Sequence, residues 1–182
     1  MEQPLNPVQG ELEKLPKETL IELIRMYSLN WHTCDGLWFS GVEDRYGTAS
    51  ALEIDVHMWD VSSRVEARRI KEILRISDNG GIDAVLRTIN FMSWAGKCAY
   101  GIERNSSGSA FLTVTSCPPQ EARLKSGKGL FACRPTFETG FKNVASTIDP
   151  RVLVSCVYCP PGLHPEGSWC RWEFRTPMEG LF

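Results

Sequence analysis

From Arg151 to Arg175 the chain reads RVLVSCVYCPPGLHPEGSWCRWEFR, and this stretch decides the fold. Its two ends, RVLVSCVY and SWCRWEFR, are rich in β-branched and aromatic residues, whereas the middle, CPPGLHPEG, is dominated by proline and glycine. That alternation predicts two antiparallel strands joined by a loop. A hairpin brings its two ends together, so Cys159 and Cys170, at either end of the loop, become neighbours. Cys156 and Cys159 form a C-x-x-C pair, a spacing that lets two thiolates from one turn reach a single cation.

Working back from this hairpin, Asp149-Pro150 breaks a helix that spans Thr136 to Ile148, with Phe137, Phe141, Val144 and Ile148 at helical spacing. The loop SGKGLFACRP before it delivers Cys133, and Pro118-Pro119 start a short helix over QEARLKS. Upstream, KCAYGIER and AFLTVTSC flank NSSGS and predict a first β-hairpin, closed by Cys117. Before the sheet the period is helical. Leu20, Ile24, Tyr27, Trp31, Cys34, Trp38, Val42 and Tyr46 recur at steps of three and four, a helix that Pro16 starts and Gly47 stops. Thr48 caps a second helix to about Leu74, with Leu52, Val56, Trp59, Ile70 and Leu74 among its apolar positions. After the turn Asp78-Asn79-Gly80-Gly81 comes a shorter helix, IDAVLRTINFMSWAG. The expected fold is α+β: N-terminal helices on an antiparallel sheet of about four strands built from two hairpins. Residues 1–15 read as a flexible lead. Residues 16–182 read as one domain, with a helical half at 16–95 and a sheet half carrying a cysteine site at 96–176.

Composition agrees with one globular core. The 182 residues are 42% hydrophobic and 23% charged, with a formal net charge of -2. This balance argues against a polyanion-binding surface. The basic run RVEARRIKEILR interleaves Glu66 and Glu72 with Arg68 and Arg69 at helical pairing distances, which is the pattern of a solvated face. No nucleic-acid partner is expected. Apolar runs such as LIELI and VLVSCVY are too short to span a membrane, and the polar, acidic N-terminus does not resemble an export signal. A cytoplasmic location is expected, with a small molecule as partner and homodimerisation left open.

Five of the seven cysteines (Cys117, Cys133, Cys156, Cys159 and Cys170) cluster in the C-terminal half. In a reducing compartment this density points to a metal more than to disulfides. The expected ligands are Cys133, Cys156, Cys159 and Cys170 around zinc, with an iron–sulfur cluster as the alternative. Cys117, His164 and Glu138 compete with Cys133 for the fourth place. Free thiols that simply pack as small apolar groups are the bland reading. In the helical half, Trp31, Trp38 and Trp59, with Asp35 and Glu43, are the candidate ligand-binding residues, and Phe39 is read with the tryptophans as a cavity aromatic. Asp35 and Glu43 are about two helical turns apart and share a face, where burial is costly unless they are paired or functional.

The segments NWHTCDGLWFSGVEDRYG, ARRIKEIL, TSCPPQEARLKSG, FACRP and TIDPRVLVSCVYCPPGLHPEGSWCRWEF together resemble an uncharacterised bacterial and archaeal family known simply as "cytosolic protein". That family is similar to L-2-amino-thiazoline-4-carboxylic acid hydrolases, which open a cyclic amidine. The C-terminal segment also resembles 4-vinyl reductase-type sensor domains, some of which bind zinc through cysteines and a glutamate. In their pattern a cysteine from a preceding helix joins two hairpin cysteines, and Cys133 is the nearest match. The eleven-residue step from Cys159 to Cys170 and the extra Cys156 depart from it. Two functions follow as expectations. One is a metal-binding module for a small ligand. The other is a metal-dependent hydrolase of a small C–N substrate, with Glu166 or Glu43 orienting water.

Overall fold

Helices lead and a sheet closes the chain, in the order the patterning requires. The computed structural model describes residues 7–105 and 108–177. Its elements are α1 (Pro7–Leu12), α2 (Lys17–Leu74), α3 (Gly81–Ile89), β1 (Ala99–Arg104), β2 (Ala110–Ser116), α4 (Pro118–Lys125), α5 (Arg134–Ile148), β3 (Leu153–Tyr158) and β4 (Cys170–Arg175). The strands form one antiparallel sheet in the order β1-β2-β4-β3, so the two hairpins join where β2 pairs with β4. Within the expected lead, Pro7–Leu12 form the short helix α1, and residues 1–6 lie outside the described residues. The helix expected over IDAVLRTINFMSWAG stops at Ile89 and continues as turns, beginning with the contacts Phe91 N to Thr88 O and Met92 N to Ile89 O.

The long helix α2 contains a single residue with non-helical dihedrals, Gly47, at φ 83° and ψ 163°. This conformation is essentially reserved for glycine. It reverses the chain. In a straight helix Trp31 and Trp59 would stand about 42 Å apart at 1.5 Å per residue, yet their ring centroids are 6.4 Å apart. The arm before Gly47 therefore lies against the arm after it. The arm after Gly47 buries Ala51, Asp55, Trp59, Ser63, Ala67 and Ile70. This stripe is mostly of small residues, offset by one position from the Leu52 and Val56 expected from hydrophobicity, which are half-buried. Small side chains allow close approach of helices, and that advantage outweighs the extra apolar area of Leu52 and Val56.

Helix α5 is the wedge between this pair of arms and the sheet. On one side Phe137 meets Trp59 with ring centroids 5.3 Å apart, and a Cβ at Gly140 would stand 3.1 Å from Trp59 Cε3. On the other side Phe141 packs edge-on against Trp172 and Phe174 of β4, at 5.2 and 5.8 Å. The inward residues of β2 and β4 alternate as a half-covered sheet demands: Ala110, Leu112 and Val114 face the core beside Cys170, Trp172 and Phe174. Asp149 ends α5 as the Asp-Pro step suggests. Its buried carboxylate accepts from the Gly81 amide at 2.8 Å and from the Arg151 guanidinium at 2.7 Å, which ties the start of α3 to the end of α5. Those hydrogen bonds, Arg151's first, hold the Asp149 carboxyl far below the ordinary aspartate range.

The conformation at Gly47 generates a test by substitution. Gly47→Ala should cost on the order of 1–3 kcal/mol. Gly36→Ala, in ordinary helical backbone with no heavy atom within 4 Å of the added Cβ, should be neutral or stabilising by up to about 1 kcal/mol. Urea unfolding of both variants checks this, and equal midpoints would contradict the reversal.

Candidate functional site

The reversal at Gly47 brings two aspartates to one cavity. Asp35, on the first arm, and Asp55, on the second, line one cavity of about 440 Å³ together with His32 and Phe39. α4 contributes Pro118, Pro119, Ala122 and Arg123, and the loop after it contributes Lys128 and Phe131. Asp55 is 3% exposed and accepts a 2.7 Å hydrogen bond from Thr136 Oγ1 of α5. Asp35 is different. Its Oδ1 is buried with no hydrogen-bond partner. Burial, and secondarily the Asp55 charge, push the Asp35 carboxyl up to about 7. Burial likewise raises Asp55 to about 6, against the lowering hydrogen bonds of Thr136 and Trp59.

The cations of the cavity are already matched. Arg123 forks onto Glu43 through two bonds of 2.9 and 3.0 Å, and its guanidinium lies 5.8 and 5.7 Å from the ring centroids of Phe39 and Phe131. Lys128 reaches Glu43 at 3.3 Å and Asp44 at 2.6 Å. Arg123's hydrogen bonds above all hold the Glu43 carboxyl down, to about 2. His32 Nε2 sits 3.0 Å from the Trp94 carbonyl, and burial lowers its pKa, which favours neutral imidazole.

Of the five candidate ligand-binding residues, Asp35 lines this cavity and Glu43 braces its cationic wall. Trp31 and Trp38 instead line a groove on another face of α2, with Ile54, Met58 and Ile73. Trp59 is 5% exposed and packs in the core between Trp31 and Phe137. A small inner cavity, lined by Trp31, Asp35, Asp55 and Trp59 on one side and Cys117 and Cys133 on the other, lies between the carboxyls and the thiols.

The thiols gather at one end of the sheet. Cys133 precedes α5, Cys159 follows β3 and Cys170 opens β4. Cys133 Sγ and Cys159 Sγ are 3.6 Å apart, and Cys170 also interacts with Cys159. The contact with Cys133 pushes the Cys159 thiol up, and the same contact lowers that of Cys133. Cys156 is half-buried near Arg134 and Glu138. Glu138 is bound by Arg134 at 3.2 Å and Lys142 at 2.6 Å, so it is engaged elsewhere. Cys98, which the sequence placed apart from the cluster, joins Cys117, Cys133 and Cys170 around a void of about 10 Å³. Burial, first among its causes, pushes the Cys98 thiol up to about 12. Among the described residues, no group of three or more His, Cys, Asp or Glu side chains stands in an arrangement that could hold a metal ion. His164 bonds only locally, with Nδ1 3.3 Å from the Pro165 carbonyl, and Glu166 is exposed on the same loop.

Four residues that shape the site went unread in the sequence: Asp55, Gln120, Arg123 and Phe131. Gln120, 1% exposed, links the two halves of the site. Its Nε2 donates to the Phe131 carbonyl at 2.7 Å and to Cys133 Sγ at 3.3 Å, while its Oε1 accepts from the Phe131 amide at 3.0 Å. The available signal was Asp55, an acid four residues from Ala51 and four from Trp59, inside the buried stripe of α2.

A family profile matches residues 13–176. The chain belongs to DUF6125, a family of unknown function. No curated protein and no solved structure matches it. Among the described residues, no helix of this DUF6125 chain is long and apolar enough to cross a membrane.

The raised Asp35 carboxyl has a consequence for stability. A carboxyl whose folded pKa lies above its unfolded value favours the native state when protonated, and that advantage fades as pH rises through about 4 to 7. Asp35→Asn should therefore match the wild type near pH 4 and exceed its stability near pH 8 by on the order of 2 kcal/mol. Paired urea melts at the two pH values check this, and a variant destabilised equally at both would contradict it.

Proposed function

We propose that the chain is a small-molecule-binding module whose ligand sits between the two arms of α2 and α4. The observation that carries this reading is the cavity of about 440 Å³ with Asp35 in its lining, one oxygen of whose carboxyl is buried without a partner. Its size falls within the few hundred to about 1,000 Å³ typical of ligand pockets. Phe39, Phe131, Pro118 and Pro119 supply apolar wall, and the matched cluster of Arg123, Lys128, Glu43 and Asp44 stiffens one side. Support for a hydrolase is thinner: Glu43 is saturated by two cations, and Glu166 lies on an exposed loop outside the cavity lining.

N-phenyl-1-naphthylamine, a neutral apolar fluorophore, is the probe of choice. It should brighten on binding to the wild type. Ala122→Trp, a substitution at an exposed position of the cavity rim, should weaken that binding by about tenfold or more without lowering the melting temperature. Equal binding by both proteins would contradict the pocket.

The second reading concerns the thiols. Four thiolates around zinc at about 2.3 Å would stand roughly 3.8 Å from one another, close to the 3.6 Å between Cys133 and Cys159. Cys170 with Cys156 or Cys117 would have to move to complete the set, with zinc serving as a staple for the sheet end. Elemental analysis of protein purified under reductant should then give about one ion per chain, lost in Cys170→Ser together with several kcal/mol of stability. Metal-free protein with full stability would reject the staple and leave the pocket untouched.

A further inference from the structure

Resting on the pocket reading above, we infer that the ligand is an amine on an apolar, ring-sized body, bound as its cation against Asp35 and Asp55. Asp35 and Asp55 line the same cavity and also the smaller void that leads toward the thiols. One oxygen of Asp35 is buried without any hydrogen-bond donor. The positive charges in the lining do not serve this pair: Arg123 and Lys128 are taken up by Glu43 and Asp44, and His32 is held toward neutrality by burial. The cavity thus carries negative charge that its own lining leaves uncompensated.

Three kinds of ligand head meet this site differently. A carboxylate or phosphate would place a third anion beside two buried acids and is repelled. A hydroxyl would donate to the Asp35 carboxyl and satisfy one lone pair, but it would leave the charge of the pair in place. An ammonium donates through up to three N–H groups and neutralises charge, so it meets both needs, and such charge-assisted bonds are roughly twice as strong as neutral ones. Thr136 already supplies one donor to Asp55, which leaves Asp35 as the primary partner and Asp55 as the second charge. Burial raises the pKa of both acids, and a cation beside them would draw those values back down. The Phe39 and Phe131 rings and the Pro118-Pro119 step then receive the apolar body.

The test is calorimetric titration of the full chain at pH 7.5 with 2-phenylethylamine, its neutral isostere 2-phenylethanol and the anion 3-phenylpropionate. The amine should bind about tenfold or more tightly than the alcohol, and the anion should bind weakest. Asp35→Asn should lose that preference, bringing amine and alcohol within about threefold of each other. Retained binding of N-phenyl-1-naphthylamine by the variant shows that its pocket is intact. Wild-type protein that takes the naphthylamine probe but prefers the alcohol or the anion, takes none of the three, or keeps its amine preference in Asp35→Asn, overturns this inference alone. Failure of the wild type to bind the naphthylamine probe overturns the pocket reading itself.

Discussion

The positive φ of Gly47 is the constraint from which the rest of the molecule follows. One residue in a conformation open only to glycine turns a 58-residue helical run back on itself. The reversal sets Trp31 against Trp59 and brings Asp35 and Asp55 to one cavity, residues that an uninterrupted helix would hold tens of ångströms apart. It also creates the concave surface on which α4 and the loop to Phe131 settle, so the cavity exists because the helix does not continue.

Helix α5 extends this geometry to the sheet. Gly140 admits the Trp59 ring at a distance where any larger residue would push back, while Phe141 reaches the other way into Trp172 and Phe174. The same helix offers Thr136 to Asp55 and begins at Cys133, so one element touches both the carboxyl pair and the thiols. Gln120 completes the link through its bonds to Phe131 and Cys133. The pocket and the cysteine cluster are consequently one mechanical unit, with Phe131 in the wall of one and two residues from the centre of the other.

Much of this was legible in the residues themselves. AFLTVTSC and SWCRWEFR read as strands, and the strands they form bury Leu112, Val114, Trp172 and Phe174. Hairpin closure predicts that Cys159 meets Cys170, and the loop before α5 predicts the arrival of Cys133. What escaped the reading were pairings created across the reversal. Hydrophobicity favoured Leu52 and Val56 as the inner face, whereas close helix packing chose the smaller Ala51, Ser63 and Ala67 and drew Asp55 in with them. Trp38 and Phe39 both read as cavity aromatics, yet only Phe39 lines the pocket and Trp38 lies in the groove. The partners of Glu43 are 80 and 85 positions away, at Arg123 and Lys128, and no local pattern announces them.

The claim that joins these observations is that the folded-back helix holds Asp35 and Asp55 as a pair of acids in an apolar cavity. Carbon-13 NMR titration of the aspartate carboxyls, with Asp35 assigned through its Asn variant, tests it most directly. The account predicts a midpoint for Asp35 near 7, moving downward when Asp55→Asn removes the neighbouring charge, since burial and that charge are the two causes of its elevation. A midpoint in the ordinary aspartate range near 4, unmoved by Asp55→Asn, would mean that the two carboxyls do not share a cavity and would contradict the account at its base.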